Sequence, residues 1–306
     1  MSQLYASKDI DGYLIECLKQ PECYPHATKD IRVIESDLSW VILTGDFAYK
    51  IKKKIDLYYL DASTLARRKQ LCEDEVRLNR RTFPELYLGT VSIAQKENGL
   101  CINGNGEVLE YAIQMQQFDP DKTLDKLHNI QEITLDRIES MVRMLVKFHE
   151  QAPIAGIETA FGEPNSLYAP VQLNFDQVRP CLTEPRDISQ LVQLEAWANE
   201  FLKRLWPRFA ERKDLGMIRE CHGDAHLGNF VLSNDDCVKL FDCIEYRAEF
   251  RWIDVISEIA FLTVDLEARN DSASAWHLLN HYLELSGDYH SLWVFSGYKG
   301  YRAMVR

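Results

Sequence analysis

The 306 residues contain no apolar run of membrane-spanning length and no basic N-terminal segment leading into an apolar core. The prediction is therefore a soluble, cytoplasmic chain with no membrane partner. Eight cysteines are present, none in a Cys-x-x-Cys pair. Scattered through apolar segments, they predict reduced thiols rather than a disulfide framework or a zinc site. Basic side chains are in deficit, 35 Lys and Arg against 47 Asp and Glu, for a net charge of −12. Phosphate neutralisation demands a basic face, so nucleic acid is not an expected partner, whereas a cationic small molecule is permitted. No Gly-x-x-x-x-Gly-Lys-Ser/Thr run occurs, so no loop of that kind is available to wrap phosphates. What remains is ordinary globular composition, 46% hydrophobic and 27% charged residues, in a chain long enough for two cores.

The most informative stretch is His222-Gly223-Asp224-Ala225-His226-Leu227-Gly228-Asn229-Phe230. Val231-Leu232, a Ser-Asn-Asp-Asp turn and Val238-Lys239-Leu240-Phe241 follow, predicting two short strands in a hairpin with Asp242 at the end. Two carboxylates and a carboxamide thus fall on loop positions of a small rigid ribbon. Phosphoryl transfer calls for such a set. One carboxylate orients the attacking hydroxyl and takes its proton, and hard oxygen ligands hold the Mg²⁺ that neutralises nucleotide phosphates. Asp224 suits the first role, and Asn229 and Asp242 suit the second. The spacing Asp-x4-Asn, hairpin, Asp matches the kinase catalytic loop and metal site.

His-Gly-Asp-x-His-x-x-Asn followed by Leu-Phe-Asp resembles the aminoglycoside phosphotransferase and choline kinase group of kinase-like enzymes. Phe241-Asp242-Cys243-Ile244-Glu245-Tyr246 with Arg251-Trp252-Ile253-Asp254, Thr44 to Lys50, and Leu78-Asn79-Arg80-Arg81 extend the resemblance over most of the chain. They point to a bacterial branch of that group. The resemblance implies an α+β, two-lobed protein-kinase-like fold, with a small antiparallel-sheet lobe at 1–118 that binds nucleotide. A mainly helical lobe at 119–306 then carries the catalytic loop and the acceptor site. ATP and Mg²⁺ are the implied cofactors and a small-molecule hydroxyl is the implied acceptor. In this branch a separate ATP-binding domain often follows, and the helical pattern from Ser291 still runs at Arg306, so a further C-terminal domain is expected.

Taken in order, residues 9–20 have helical spacing ending before Pro21. Val33-Ile34-Glu35, Trp40 to Leu43 and Phe47 to Lys52 read as three strands joined by two hairpins. The resemblance to a kinase-like lobe implies that the first hairpin covers the nucleotide. It lacks glycine, and Ser36 and Ser39 are the candidates to offer hydroxyl and amide donors. Lys50 is the expected phosphate-contacting lysine, with Lys52, on the same face by period-two alternation, as the alternative. The resemblance implies that the helix from Ser63 to Arg81 supplies a carboxylate to that lysine, Glu73 first, by its spacing to Leu78 in the resembling families, and Glu75 second. After Val91-Ser92-Ile93 and a Lys-Glu-Asn-Gly turn, Val108 to Met115 should end the sheet. The resemblance implies that Gln116 to Pro120 is then the hinge, where Gln116 and Phe118 are expected to meet an adenine edge. Thr134 should cap a helix running to His149. Residues 151–186 hold five of the ten prolines and are expected to be a loop-rich insertion that contacts the acceptor. Helical spacing resumes at Ile188, and a buried helix is expected over Ile253 to Leu266, where Asp254 serves as a cap.

Other readings compete with this one. Gly-Asp-x-His and Gly-Asn also suit a binuclear metallophosphoesterase, but its upstream Asp-x-His has only Asp288-Tyr289-His290 as a counterpart, downstream. A nucleotide-binding module without transferase activity would have no need of Asp224. A protein kinase would show an Ala-Pro-Glu stretch after Asp242, and none occurs.

Overall fold

In the computed structural model, which describes residues 10–97, 99–233 and 235–305, the chain divides into two units. One ends at Asp119 and also holds Glu245–Arg247; the other holds Pro120–Ile244 and the residues from Ala248 onward. Residue 9 of the first expected helix, Asn98 and Asn234 of two expected turns, and Arg306 lie outside the described residues.

In the first unit, α1 (Ile10–Leu18) buries Leu14, Ile15 and Leu18. The expected hairpins form β1 (Arg32–Glu35), β2 (Ser39–Leu43) and β3 (Phe47–Lys52). Alternation sorts β3. Tyr49 and Ile51 join a buried cluster with Ile42, Ile93 and Ala112, which leaves Lys50 and Lys52 on the other face. A Tyr58-Tyr59 turn joins β4 (Asp56–Leu57) to β5 (Leu60–Asp61). Thr64 caps α2 (Leu65–Asn79), its hydroxyl accepting from the Arg67 amide at 3.2 Å. A buried Arg68–Glu110 pair at 2.7 Å ties α2 to the sheet. Three more strands, β6 (Tyr87–Lys96), β7 (Gly99–Ile102) and β8 (Val108–Gln116), complete an antiparallel sheet of order β1-β2-β3-β8-β6-β7.

Two expectations change here. The strand from Val108 does not end the sheet: β8 lies between β3 and β6, and the edge falls to β7, which the sequence reading did not distinguish. Ala112 and Ile113 are both 0% exposed, so β8 is covered on both faces as well as paired along both edges. The strand also runs through Gln116, placing that residue in the sheet rather than in a hinge.

In the second unit, α3 (Leu124–Asn129) precedes α4 (Leu135–Gln151), where Thr134 acts as cap at 3.3 Å from the Arg137 amide. Ile138, Met141, Val142 and Leu145 of α4 are fully buried, while Leu135 at its start is exposed. The stretch expected to be loop-rich contains a helix of 15 residues, α5 (Pro164–Val178), followed by the long α6 (Pro185–Asp214). Prolines misled the reading because Pro164 and Pro185 sit at helix starts, where a missing N–H costs nothing. Strand β9 (Ile218–Glu220) comes next, and β10 (Phe230–Leu232) and β11 (Val238–Leu240) form the expected hairpin. After α7 (Ala248–Arg251), β12 (Trp252–Asp254) pairs antiparallel with β9. Then α8 (Val255–Ala268), buried nearly all round, packs with α9 (Ser272–Ser286) and α10 (Leu292–Val305). Asp254 caps α8 by accepting from the Ile256 amide at 3.1 Å. No described helix is long and apolar enough to cross a membrane, and no disulfide forms among the described residues.

Arg212 of α6 is buried between two carboxylates, donating to Asp254 (2.7 Å) and to Asp288 (2.9 and 2.7 Å). Replacing it by methionine strands both acids without a counter-charge. Arg212→Met is expected to lower the unfolding free energy by about 3–5 kcal/mol in urea denaturation; a loss below ~1 kcal/mol would contradict this.

Candidate active site

The loop joining β9 to β10 carries Asp224 and Asn229, and its course is fixed from below by α8. Glu258, on the first turn of α8, accepts with one oxygen from two successive backbone amides, His222 at 2.9 Å and Gly223 at 2.7 Å. Its other oxygen faces His149 Nε2 at 2.8 Å, and His149 Nδ1 meets the Tyr282 hydroxyl at 2.9 Å. Burial alone would raise the Glu258 pKa, but the His149 hydrogen bond and charge, helped by the Gly223 amide, hold it below the usual carboxylate value. Further along the loop, the Leu227 amide donates to Asp265 at 2.8 Å, and Arg302 of α10 donates to the Gly223 carbonyl at 3.0 Å. Gly223 has φ +90°, and a Cβ there would lie 2.5 Å from the Phe250 carbonyl oxygen, so only glycine fits. His222 is fully buried, and burial lowers its pKa. As a neutral imidazole it donates from Nε2 to the Phe241 carbonyl at 2.8 Å and accepts the Asp224 amide on Nδ1 at 3.3 Å.

The hairpin sets the rest of the site. Phe230 pairs with Leu240, and one step outward the Phe241 amide donates to the Asn229 carbonyl at 3.0 Å. Asp242 is the next residue, held at φ +65°, a left-handed conformation that a non-glycine residue adopts at a cost. Asn229 Nδ2 donates to the Asp224 carbonyl at 2.9 Å and to the Asp224 carboxylate at 3.3 Å. That commitment leaves the amide oxygen of Asn229 as the end suited to a hard cation, a fit to Mg²⁺ chemistry that the Asp242 carboxylate shares. The Asp224 side chain is 41% exposed. Crowding by protein raises its pKa, Asp242 adds repulsion, and His226, His222 and Arg302 oppose the rise. Water on the exposed part tempers the shift. His226 accepts the Gly228 amide on Nδ1 at 3.1 Å, with Nε2 3.7 Å from the Asp224 carboxylate. It organises the loop. Asp288, the metal-ligand candidate of the phosphoesterase reading, is occupied by Arg212.

The sheet unit holds the lysines. Lys50 Nζ bonds Glu75 at 2.8 Å, and the buried Lys52 bonds Glu75 and, at 2.5 Å, Glu245. The carboxylate beside the lysine is therefore Glu75, the second candidate. Glu73 is instead exposed, 3.7 Å from Lys69. Helical phase explains the correction: Glu75 lies four residues after Leu71 and three after Cys72 on the buried side, whereas Glu73 is turned outward. Ser36 and Ser39 do not present their donors outward. Ser36 Oγ meets the Ser39 carbonyl and Oγ at 3.1 Å each, and the two backbone amides are also spent within the turn. A tight glycine-free turn uses these hydroxyls to close itself. The Gln116 amide donates to the Leu86 carbonyl at 2.9 Å and its side chain to the Asp46 carbonyl at 3.1 Å; Phe118 is half-buried.

A family model described as the phosphotransferase enzyme family matches residues 98–292, well over half of the chain. The chain belongs to the phosphotransferase enzyme family. Curated relatives include uncharacterized proteins of Mycobacterium bovis and Mycobacterium tuberculosis, each 26% identical over 287 residues, which is 93% of this chain and 56% of the relative. The chain thus spans little more than half the length of these relatives. Among solved structures, a choline/ethanolamine kinase family protein from Mesorhizobium loti is similar over 90% of this chain and 76% of its own, with a TM-score of 0.48 at 12% identity. A choline kinase from Cryptosporidium parvum is similar over 95% and 86%, with a TM-score of 0.48 at 11% identity. An aminoglycoside phosphotransferase from Alicyclobacillus acidocaldarius is similar over 99% and 83%, with a TM-score of 0.41 at 13% identity.

For this phosphotransferase family member, sequence reasoning missed Glu258, Arg302 and Glu245. The first had a signal, an acid inside an otherwise apolar helix, which is costly unless it is spent on something. Glu258→Gln tests its place. A carboxylate whose folded pKa lies below the unfolded value contributes stability above that value, and the contribution is lost as pH falls through the folded pKa. The variant should lose about 1.5–3 kcal/mol near pH 7 and show a flatter acid limb in stability against pH. An acid limb as steep as the wild type's would contradict the assignment.

Proposed function

We propose that the protein is an ATP- and Mg²⁺-dependent phosphotransferase acting on a hydroxyl group of a small molecule, in the cytoplasm. The observation that carries this reading is the Asn229 amide, whose nitrogen is tied to Asp224 so that its oxygen is left for a metal ion, on the same ribbon that presents Asp242. Three residues at the kinase spacing thereby take three separable tasks. Asn229 and Asp242 hold the metal, and Asp224 accepts a hydrogen bond from the acceptor hydroxyl, aligns it and receives its proton. Mg²⁺, when bound, neutralises charge on the phosphates. Lys50, steadied by Glu75, orients the phosphates. Because the transferring group is loosely bonded in the transition state, placement of the Asp224 carboxylate matters more than its basicity, and its raised pKa is a modest aid. The excess of acidic residues, net −12, suits an acceptor that carries positive charge.

Calorimetric titration of ATP with Mg²⁺ separates the tasks. Asp242→Asn should weaken binding by at least roughly tenfold, whereas Asp224→Asn should leave it within about twofold. Unchanged binding in Asp242→Asn removes that residue from the metal site, and lost binding in Asp224→Asn removes Asp224 from the role of base.

A further inference from the structure

Lys50 and Lys52 share one face of β3 and one partner, yet their surroundings differ. The Lys50 side chain is 14% exposed and that of Lys52 is 6% exposed, while Glu75 between them is fully enclosed. Glu75 gives one oxygen to each lysine. Lys52 also bonds Glu245 at 2.5 Å, and that side chain is 6% exposed. Burial would lower the Lys52 pKa, but the charges of Glu245 and Glu75 reverse this and keep its ammonium charged. Two ammonium groups and two carboxylates are thus wired in series, Lys50 to Glu75 to Lys52 to Glu245.

The segment that brings in Glu245 is built to stay. Glu245–Arg247 belong to the sheet unit, although the residues on either side belong to the other. Tyr246 packs on the cluster of Leu60, Ala62 and Leu71, its ring 5.9 Å from that of Tyr59, and the Arg247 guanidinium lies 5.5 Å from the Tyr58 ring. In sequence, Glu245 follows Asp242 by three residues.

A buried ammonium with only half its counter-charge draws the remaining carboxylate toward itself. If Glu245 were neutral, Lys52 would hold Glu75 alone, and Glu75 would release Lys50. If Lys52 were missing, two buried carboxylates would face each other with one ammonium fewer. We propose that Glu245, acting through Lys52, is a positioning residue that sets how firmly Glu75 holds Lys50, and so the aim of the Lys50 ammonium at nucleotide phosphates. The assignment rests on the nucleotide-binding reading above.

The test is calorimetric titration of ATP with Mg²⁺ into the wild type, Glu245→Gln, Lys52→Met and the double variant, with thermal unfolding of each. Each single change should weaken ATP binding roughly tenfold, and the double variant, which restores one lysine to one glutamate, should return to within about threefold of wild type. Wild-type affinity in Glu245→Gln, even with a lowered melting temperature, reduces Glu245 to scaffolding and overturns the proposal. A double variant weaker than either single also overturns it. If the wild type itself binds no ATP, the nucleotide reading falls first, a result distinct from singles that match a binding wild type.

Discussion

One carboxylate in the middle of the helical unit decides whether the catalytic-loop residues stand where they do. Glu258 is anchored on α8, which is packed on nearly every side, and it takes the amides of His222 and Gly223 on a single oxygen. A buried carboxylate survives only if its lone pairs are met by donors, and here the donors are the loop's own backbone and His149. The requirement works in both directions. The acid needs the loop, and the loop, being irregular backbone, needs acceptors for amides that no strand or helix satisfies. Asp265, about two helical turns further on, repeats the device for Leu227.

With its backbone held in this way, the loop can present side chains whose own preferences differ. Asp224 remains partly exposed and raised in pKa, Asn229 is turned by its nitrogen, and Asp242 accepts a left-handed backbone. The sheet unit solves a parallel problem with charge. Lys52 and Glu75 are both buried, and each is tolerated because the other, with Glu245, supplies the compensating charge. In both units the polar groups proposed to act stand on a second set of polar groups that do not.

Local chemistry made a good part of this visible from sequence. Serine, aspartate and glycine between apolar runs marked the first two hairpins, and alternation along β3 put both lysines on one face. The spacing from Asp224 to Asn229 to Asp242 depends only on a loop and one hairpin, so it could be read without tertiary information. What could not be read depends on distant pairing. The central place of β8 comes from its partners β3 and β6, not from its own residues. Glu75 rather than Glu73 follows from which side of α2 meets the sheet, a phase that three consecutive acids blur. The two prolines that begin α5 and α6 look the same in sequence as prolines in a loop. Arg302 and Glu245 meet their partners from far along the chain, and nothing near them in sequence announces it.

The central claim is that this member of the phosphotransferase family moves a phosphoryl group from ATP to a hydroxylated small molecule. The most direct measurement is ³¹P NMR of ATP and Mg²⁺ incubated with the protein and pooled hydroxylated compounds, amino alcohols and aminoglycosides included. The account predicts a new phosphate monoester resonance rising in step with ADP and absent when Asp224 is replaced by asparagine. ATP that persists unchanged, or ADP appearing with inorganic phosphate alone, would contradict it.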